Sequence, residues 1–262
     1  MRQLGNAKAI FSFSPGNILY KIGEISLFSF RFIPKLFTPP FEGYEIVRQI
    51  YIIGYKSLPL VTISSFIIGF VMTIHLIPAM RTFGVEDMVP NMSAISIIRE
   101  IGPVITALVC AGKIGSAVGA EIGSMKVTEQ IDAMSITGVD SYRYLVVTRV
   151  LATSISLPVL IIYACTIALT GGFVAEAIED QMSFNLFIFK SFEFIYFHDI
   201  IPTLIKSVLF GFTIGIVGCY YGFKTEKGAL GVGKSAHLSV VTSSIIIFFI
   251  DMLVVEIAHL FY

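Results

Sequence analysis

Long apolar stretches separated by short polar segments form the dominant pattern of this 262-residue chain. A helix needs about 20 consecutive, mainly apolar residues to cross the hydrocarbon core of a bilayer. Five stretches reach that length, although charged residues interrupt the second and the last. The pattern therefore predicts an all-α membrane protein with five transmembrane spans, at residues 57–80, 91–119, 150–175, 200–223 and 236–260.

The segment before the first span, residues 17–37, has a different pattern. Its charged residues fall at helical spacing on one face, and an apolar set falls on another: Ile18, Ile22, Ile25, Phe32 and Leu36. Such an amphipathic helix lies in the headgroup plane. The alternative, a sixth span, is disfavoured by Pro34 and by the four charges, which are Lys21, Glu24, Arg31 and Lys35. We therefore divide the chain into an N-terminal arm with an interfacial helix (1–40) and a transmembrane domain (41–262).

Composition supports the membrane assignment. Hydrophobic residues make up 55% of the chain, charged residues only 14%, and the mean hydropathy is +0.85. A soluble domain would carry roughly 25% charged residues. The net charge is zero, and no basic run indicates nucleic acid. The three cysteines all lie in apolar runs, which argues against a disulfide framework or a metal site.

Lysine and arginine are unevenly distributed between the two sides of the membrane. Of the 18 such residues, the outer side receives Arg81, Lys190 and Lys206, and Arg99 lies within the membrane. The other side receives fourteen, counting the amino-terminal arm, the loops after spans two and four and their flanks: Arg2, Lys8, Lys21, Arg31, Lys35, Arg48, Lys56, Lys113, Lys126, Arg143, Arg149, Lys224, Lys227 and Lys234.

This distribution predicts an inner-membrane protein with a cytoplasmic N-terminus and a periplasmic C-terminus. Residues 1–16 contain no cleavable signal pattern, so the chain is expected to insert through its own helices. Lys206 lies near one end of the fourth span, where its side chain is expected to reach the interface.

A nucleotide-binding motif is matched in the loop between spans four and five. Gly228-Ala-Leu-Gly-Val-Gly-Lys-Ser235 fits the P-loop pattern. A working P-loop needs a preceding strand and a surrounding nucleotide-binding sheet, and the flanking spans leave no room for one. We interpret the match as coincidental and the segment as a flexible cytoplasmic loop.

Arg99 and Glu100 are the most informative charges. If the second span begins near Asn91, they lie about 12–14 Å along it. An arginine at mid-membrane costs roughly 2.5–3.5 kcal/mol, so the pair is expected to face a cavity or a protein partner. Adjacent helical residues point about 100° apart, so each needs a partner of its own. Whether the pair marks a pathway or braces the bundle stays open.

Two features follow in the next segment. Gly115, Gly119 and Gly123 form a ladder spaced by four, which favours close helix packing and is compatible with a dimer. The stretch Met125–Gly138 then reads as a short polar helix with Thr128 as its N-cap and Gly138 as its stop. This helix is suited to contact a cytoplasmic protein, although a solvated turn is the simpler alternative.

The last span carries Asp251, Glu256 and His259. A proton relay or a metal site is one interpretation, and an outer-interface location of Glu256 and His259 is the other. No hydrolase motif is present. We therefore predict no catalytic or metal-binding residues and no enzymatic activity in this chain.

Three blocks of sequence carry a family resemblance. They are Arg99-Glu-Ile-Gly-Pro-Val-Ile-Thr-Ala-Leu, Ala111-Gly-Lys-Ile-Gly-Ser-Ala, and Ala120-Glu-Ile-Gly-Ser-Met-Lys-Val-Thr-Glu-Gln-Ile-Asp-Ala-Met. They closely resemble the MlaE/YrbE permeases, which are membrane subunits of MCE-type ABC transporters. The resemblance covers roughly residues 40–262.

The resemblance implies a homodimer that carries phospholipid or a similar lipid between inner and outer membranes. It implies a cytoplasmic ABC ATPase that binds ATP and Mg²⁺, so that this chain itself needs no cofactor, and an MCE-domain protein on the outer face. By the same match, a coupling helix that contacts the ATPase corresponds to Thr128, Glu129, Gln130, Asp132 and Ala133. The lipid cavity corresponds to Arg99, Glu100 and Ile101, with Phe70 and Ile74 of span one as further members.

Two other functions remain possible from the residues alone. An ion-coupled secondary carrier or channel would use Asp251 and Arg99 and would need no ATPase. A structural membrane scaffold would tolerate replacement of its charged residues.

Overall fold

The computed structural model describes residues 15–39, 42–179, 181–226 and 228–261. The chain divides into two compact units, Met1–Phe41 and Glu42–Tyr262. The described residues are helical or irregular and include no strand, so the predicted all-α class is confirmed.

The described residues of the first unit form two helices, α1 (Pro15–Phe30) and α2 (Phe32–Leu36). The segment predicted to form a single helix therefore breaks at Arg31. Pro34 explains the break, because it lacks the N–H that would bond the carbonyl of Phe30. A location of these helices in the headgroup plane stays a prediction, and most of residues 1–16 lies outside the described part of the chain.

In the described part of the second unit, five helical stretches are long and apolar enough to cross a membrane: Gly43–Thr82, Glu86–Val127, Arg143–Glu179, Phe197–Phe223 and Ala229–Leu260. Each predicted span lies within one of them. The first combines α3 (Gly43–Gly54) and α4 (Leu58–Thr82), and the second combines α5 (Val89–Ser96), α6 (Gly102–Cys110) and α7 (Ser116–Val127). The others contain α9 (Thr148–Glu179), α11 (Phe197–Phe223) and α12 (Ala229–Phe261).

The first stretch starts well before the predicted boundary. α3 carries Glu45 and Gln49, and both side chains are buried. The Gln49 amide donates a hydrogen bond to Glu45 Oε1 at 2.7 Å. Because these polar groups satisfy each other, the helix extends through a polar segment that hydropathy alone would leave outside the membrane.

Close backbone contacts hold the bundle together. α9 is central and packs against α3, α4 and α11, while α12 packs against α7 and α11. A Cβ added to Gly69 of α4 would collide with the backbone of Ala168 in α9, and one on Gly211 of α11 would collide with Thr153. Small residues at such crossings are how membrane helices approach closely.

Two short helices connect the spans. α8 (Gln130–Ile136) follows the second stretch, and α10 (Phe184–Phe192) precedes the fourth. The predicted N-cap of α8 is wrong, because Thr128 ends α7 and its hydroxyl donates to the Ser124 carbonyl. Glu129 precedes α8 in a left-handed conformation instead, with φ of 60°. Gly138 has a φ of 80°, which suits a glycine beyond a helix end.

The P-loop match is not the flexible loop that its composition suggested. α12 begins at Ala229, so nearly the whole motif is helical and only Gly228 precedes the helix. The N–H groups of Gly231 and Val232 donate to the Gly228 carbonyl at 3.0 and 3.4 Å, so they are not available to surround a phosphate. Small residues such as Ser235 and Ala236 serve here as packing positions against Gly119.

Candidate functional site

A five-residue π-helical turn, Ile97–Ile101, interrupts the second span and carries Arg99 and Glu100. Pro103 follows it and has no N–H, so the carbonyls of Ile98 and Arg99 lose the donor that a π or α helix would give them. α11 supplies the replacements. Thr203 Oγ1 lies 3.1 Å from the Ile98 oxygen, and Lys206 Nζ donates to the Arg99 oxygen at 3.1 Å. Side chains of a second helix thus lie against the carbonyl oxygens that the proline leaves without a backbone donor.

Lys206 is buried at the centre of an ionic network. Its side chain does not reach the interface as expected, because the residue is only 1% exposed. Nζ lies 2.8 Å from Glu100 Oε1 and 2.8 Å from Asp251 Oδ1. Three oxygens from two other helices therefore surround the ammonium, which offsets the cost of burying it.

Arg99 has a different carboxylate partner. Its Nη2 lies 2.5 Å from Asp199 Oδ1. Asp199 belongs to the first turn of α11, where its Oδ2 accepts a hydrogen bond from the Tyr196 N–H at 3.0 Å. His198 Nε2 lies 3.4 Å from the same carboxylate. Arg99 and Glu100 are thus adjacent in sequence but bind separate partners.

The two ion pairs border a cavity of about 360 Å³. Arg99 and Glu100 face it with side chains that remain 45% and 44% exposed, whereas Asp199 and Lys206 lie behind them and are nearly buried. The cavity is lined by charged, histidine and small apolar side chains: Arg99, Glu100, His198, Asp199, Pro202, Thr203, Lys206, Val255, Ala258 and His259. Charged side chains and apolar surface therefore meet in one concavity.

Sequence reasoning did not identify Asp199, His198 or Lys206 as members of this site. A signal for Lys206 was present in Pro103, because a proline four residues after Arg99 leaves a carbonyl that needs an external donor. No comparable signal selects α11 as the helix that provides it.

The structure separates the other candidate cavity residues from this site. Ile101 borders a void of only about 10 Å³, together with Ser65, Ile97 and Ala168. Phe70 and Ile74 lie on α4 and line neither space. Their assignment to a lipid path stays a prediction.

The glycine ladder lies against the last helix and the end of α11. A Cβ on Gly115 or Gly119 would meet Ser239 of α12 at 3.3 Å, and one on Gly123 would meet the Thr225 hydroxyl at 2.6 Å. Ser239 Oγ also donates to the Gly115 carbonyl at 2.9 Å. These contacts are within one chain.

The candidate coupling residues cluster on an exposed surface around α8. Thr128, Glu129, Gln130, Asp132 and Ala133 are all exposed, and Ile131 is buried beneath them. Asp132 pairs with Lys126 at 2.9 Å. Ile136 at the end of α8 is 86% exposed, an unusual position for a large apolar side chain.

The acidic and histidine residues of α12 are divided in the same way. Asp251 joins the Lys206 network and His259 lines the cavity, whereas Glu256 is exposed and is not part of the lining. Within residues 15–39, 42–179, 181–226 and 228–261, no three His, Cys, Asp or Glu side chains are grouped to hold a metal ion.

Comparison with known proteins identifies the family. Residues 46–257 match the family model described as Permease MlaE. The chain belongs to the MlaE permease family. The resemblance inferred from residues 99–134 is therefore confirmed.

Relatives of this MlaE permease occur in several lineages. A probable ABC transporter permease protein of Rickettsia typhi is 35% identical over 235 residues, covering 90% of this chain and 91% of the relative. A protein of the same description from Synechocystis is 36% identical over 202 residues, covering 77% of each chain. The Arabidopsis chloroplast protein TRIGALACTOSYLDIACYLGLYCEROL 1 is 29% identical over 238 residues, covering 91% of this chain and 68% of the relative. The chain is accordingly a multi-pass membrane permease and a transport component.

Proposed function

We propose that this chain is the permease subunit of an ABC transporter that moves phospholipid or a similar lipid between the inner and outer membranes. The observation that carries the proposal is the cavity between the π turn, α11 and α12. It presents a guanidinium and a carboxylate at the edge of an apolar helical bundle. A molecule that fits both environments has a polar head and apolar chains.

Two further observations support a lipid substrate. The outward side of α12 is broadly apolar, with Ile245, Phe249 and Met252 each more than half exposed. Acyl chains or a second permease would cover such a surface. In addition, the name of the Arabidopsis relative contains that of a glycolipid, trigalactosyldiacylglycerol.

A separate ATPase is part of the proposal. The P-loop match is helical, and the described residues include no strand from which a nucleotide-binding sheet could form. We assign ATP and Mg²⁺ binding to a cytoplasmic ABC ATPase that docks on α8 and its flank, through Thr128, Glu129, Gln130, Asp132 and Ala133. The exposed Ile136 adds an apolar anchor to this polar surface, as contact surfaces commonly do.

Charge and surface composition support the rest of the proposed assembly. The excess of Lys and Arg on one side supports a cytoplasmic location for the N-terminus and α8 and a periplasmic location for the C-terminus. The apolar side of α12 is the proposed homodimer contact. An MCE-domain protein is proposed on the periplasmic side, where α10 exposes Phe189 and Phe192; these aromatics also suit the membrane boundary.

One observation favours a second function. Lys206 bridges two carboxylates, Glu100 and Asp251, inside the membrane, and intramembrane charges of this kind occur in ion-coupled carriers. A carrier would transport its substrate in proteoliposomes that contain only this chain. The ABC permease requires the ATPase.

Lipid co-purification tests the proposal. The complex is extracted in mild detergent, and its bound lipid is measured by mass spectrometry. We expect phospholipid in the wild type and a several-fold loss in an Arg99→Ala, Glu100→Ala double variant. Glu256→Ala, which removes an exposed carboxylate of α12 that does not line the cavity, is the matched control. A wild-type complex without lipid would contradict the proposal.

A further inference from the structure

The ionic network beside the cavity contains more negative than positive side chains. Its cations are Arg99 and Lys206, and its carboxylates are Glu100, Asp199 and Asp251. Counted formally, with ionised carboxylates and uncharged imidazoles, these side chains sum to one net negative charge. In a medium of low dielectric, such an imbalance favours a ligand that brings a positive group and disfavours one that adds a second negative charge.

The internal partners leave one side of each cavity-facing group available. Asp199 binds Arg99 through Nη2, and Lys206 binds Glu100 through Oε1. Asp251 also lies within hydrogen-bonding reach of the Glu100 carboxylate, yet the side chains of Arg99 and Glu100 remain 45% and 44% exposed, so a ligand in the cavity can reach both. Both residues line the same cavity. A cationic hydrogen-bond donor and an anionic hydrogen-bond acceptor are therefore neighbours there.

The buried pairs also fix these two groups in place. Asp199 is bound by the Tyr196 N–H, and Lys206 is bound by Asp251 and by the Arg99 carbonyl. Neither Arg99 nor Glu100 can turn away from the cavity without breaking a buried contact. Preorganised charges lose little freedom when a ligand binds, which increases their selectivity.

We propose that this cavity selects lipids with a zwitterionic headgroup that carries a primary ammonium, the phosphodiester binding Arg99 and the ammonium donating to Glu100. This inference rests on the proposed lipid function and specifies its substrate class. A choline headgroup cannot donate hydrogen bonds to Glu100. A glycerol headgroup leaves its phosphate charge uncompensated beside the negative network.

Bound-lipid analysis in a defined membrane tests the selection. The complex is reconstituted in nanodiscs with equal amounts of phosphatidylethanolamine, phosphatidylcholine and phosphatidylglycerol, re-extracted, and its retained lipid is quantified by mass spectrometry. We expect the ethanolamine lipid to be enriched about fivefold over the glycerol lipid, with the choline lipid between them; fivefold corresponds to about 1 kcal/mol.

Variants separate the two charges. Glu100→Gln keeps the side-chain shape and is expected to bring the three lipids close to equal retention. Arg99→Gln is expected to reduce the retention of all three. Glu256→Gln, the same neutralisation on α12 but outside the cavity lining, should keep the wild-type enrichment.

The outcomes distinguish the two levels of the proposal. Lipid retained by the wild type in the supplied equal ratio overturns the headgroup selection and leaves the lipid function standing. Enrichment that survives in Glu100→Gln also overturns the selection, because it then originates elsewhere. A wild-type complex that retains no lipid overturns both.

Discussion

Two buried cations, Lys206 and Arg149, occupy opposite halves of the bundle. They bind the same kinds of groups but have different surroundings. Each donates to a carbonyl of a π turn: Lys206 to Arg99, and Arg149 Nη1 to Leu145 at 3.1 Å. Each also pairs with a glutamate at 2.8 Å, Glu100 for Lys206 and Glu121 for Arg149.

The surroundings separate the two. Arg149 donates to a carbonyl in the π turn of its own helix and has one carboxylate partner, whose side chain is 55% exposed. Lys206 donates to a carbonyl in the π turn of another helix, pairs with a second carboxylate, Asp251, and borders the cavity. Burial of a charge is therefore a poor indicator of function by itself. A buried charge whose partners face an open cavity is a better one.

The largest expected difference is in stability. Lys206→Met removes the shared partner of two carboxylates and of the Arg99 carbonyl, which Pro103 cannot bond. We therefore expect the free energy of unfolding to fall by about 3–5 kcal/mol. Arg149→Met leaves only a glutamate that water already reaches, so we expect the free energy of unfolding to fall by about 1–3 kcal/mol. Thermal unfolding of the two purified variants in the same detergent measures both. Equal losses would remove the distinction between the two cations.

A second comparison concerns transport. Arg99→Ala and Glu100→Ala are each expected to reduce lipid transfer and outer-membrane barrier function about tenfold or more, because they remove charges that face the cavity, with little change in expression; tenfold corresponds to about 1.4 kcal/mol. Glu256→Ala removes an exposed carboxylate that does not line the cavity and should retain most of the activity. Normal transfer by both cavity variants would reduce the pair to a structural brace.

Charge reversal at α8 should act on assembly and not on lipid. Glu129→Lys combined with Asp132→Lys is expected to release the ATPase in a pull-down, since it reverses the charge of the proposed docking surface and breaks the pair with Lys126. Bound lipid should be unchanged. Glu193→Lys, an exposed reversal near α10, is the control and should retain the ATPase. Retention by the double variant would refute the docking assignment.

The smallest expected effect concerns Thr203. Thr203→Val keeps the volume of the side chain but removes the hydroxyl near the Ile98 carbonyl, a loss of about 1 kcal/mol. Thr170→Val, on an exposed position of α9, should be nearly neutral. A Thr203→Val protein as stable as the wild type would indicate that the carbonyl is bonded in another way.

The spans could be predicted because the lipid interior excludes charged residues over a fixed length. A stretch of that length without charged residues can be found in the sequence alone. The extension of the first helix to Gly43 could not, because the burial of Glu45 depends on α9. Lys206 was misplaced for the same reason: hydropathy gives the distance from a span end but not which helix lies opposite. The family blocks located Arg99 and Glu100, whereas their partners Asp199 and Lys206 come from a helix about 100 residues away.

The prediction for Gly228–Ser235 failed in an instructive way. Glycine and serine at short spacing normally indicate a loop, yet in a membrane bundle they are also the residues that let helices approach. Phe70 and Ile74 could not be assigned because neighbouring positions on α4 face different environments, and the register of that helix is set by its contact with α9.

The most direct test is ATP-driven lipid transfer by the purified complex. Proteoliposomes containing the permease and its ATPase are mixed with acceptor vesicles, and the movement of an isotope-labelled phospholipid is followed with and without ATP. We expect ATP-dependent transfer by the wild type and its loss in Glu100→Ala, with the ATPase still bound. Full transfer by the permease alone, independent of nucleotide, would contradict the proposed mechanism.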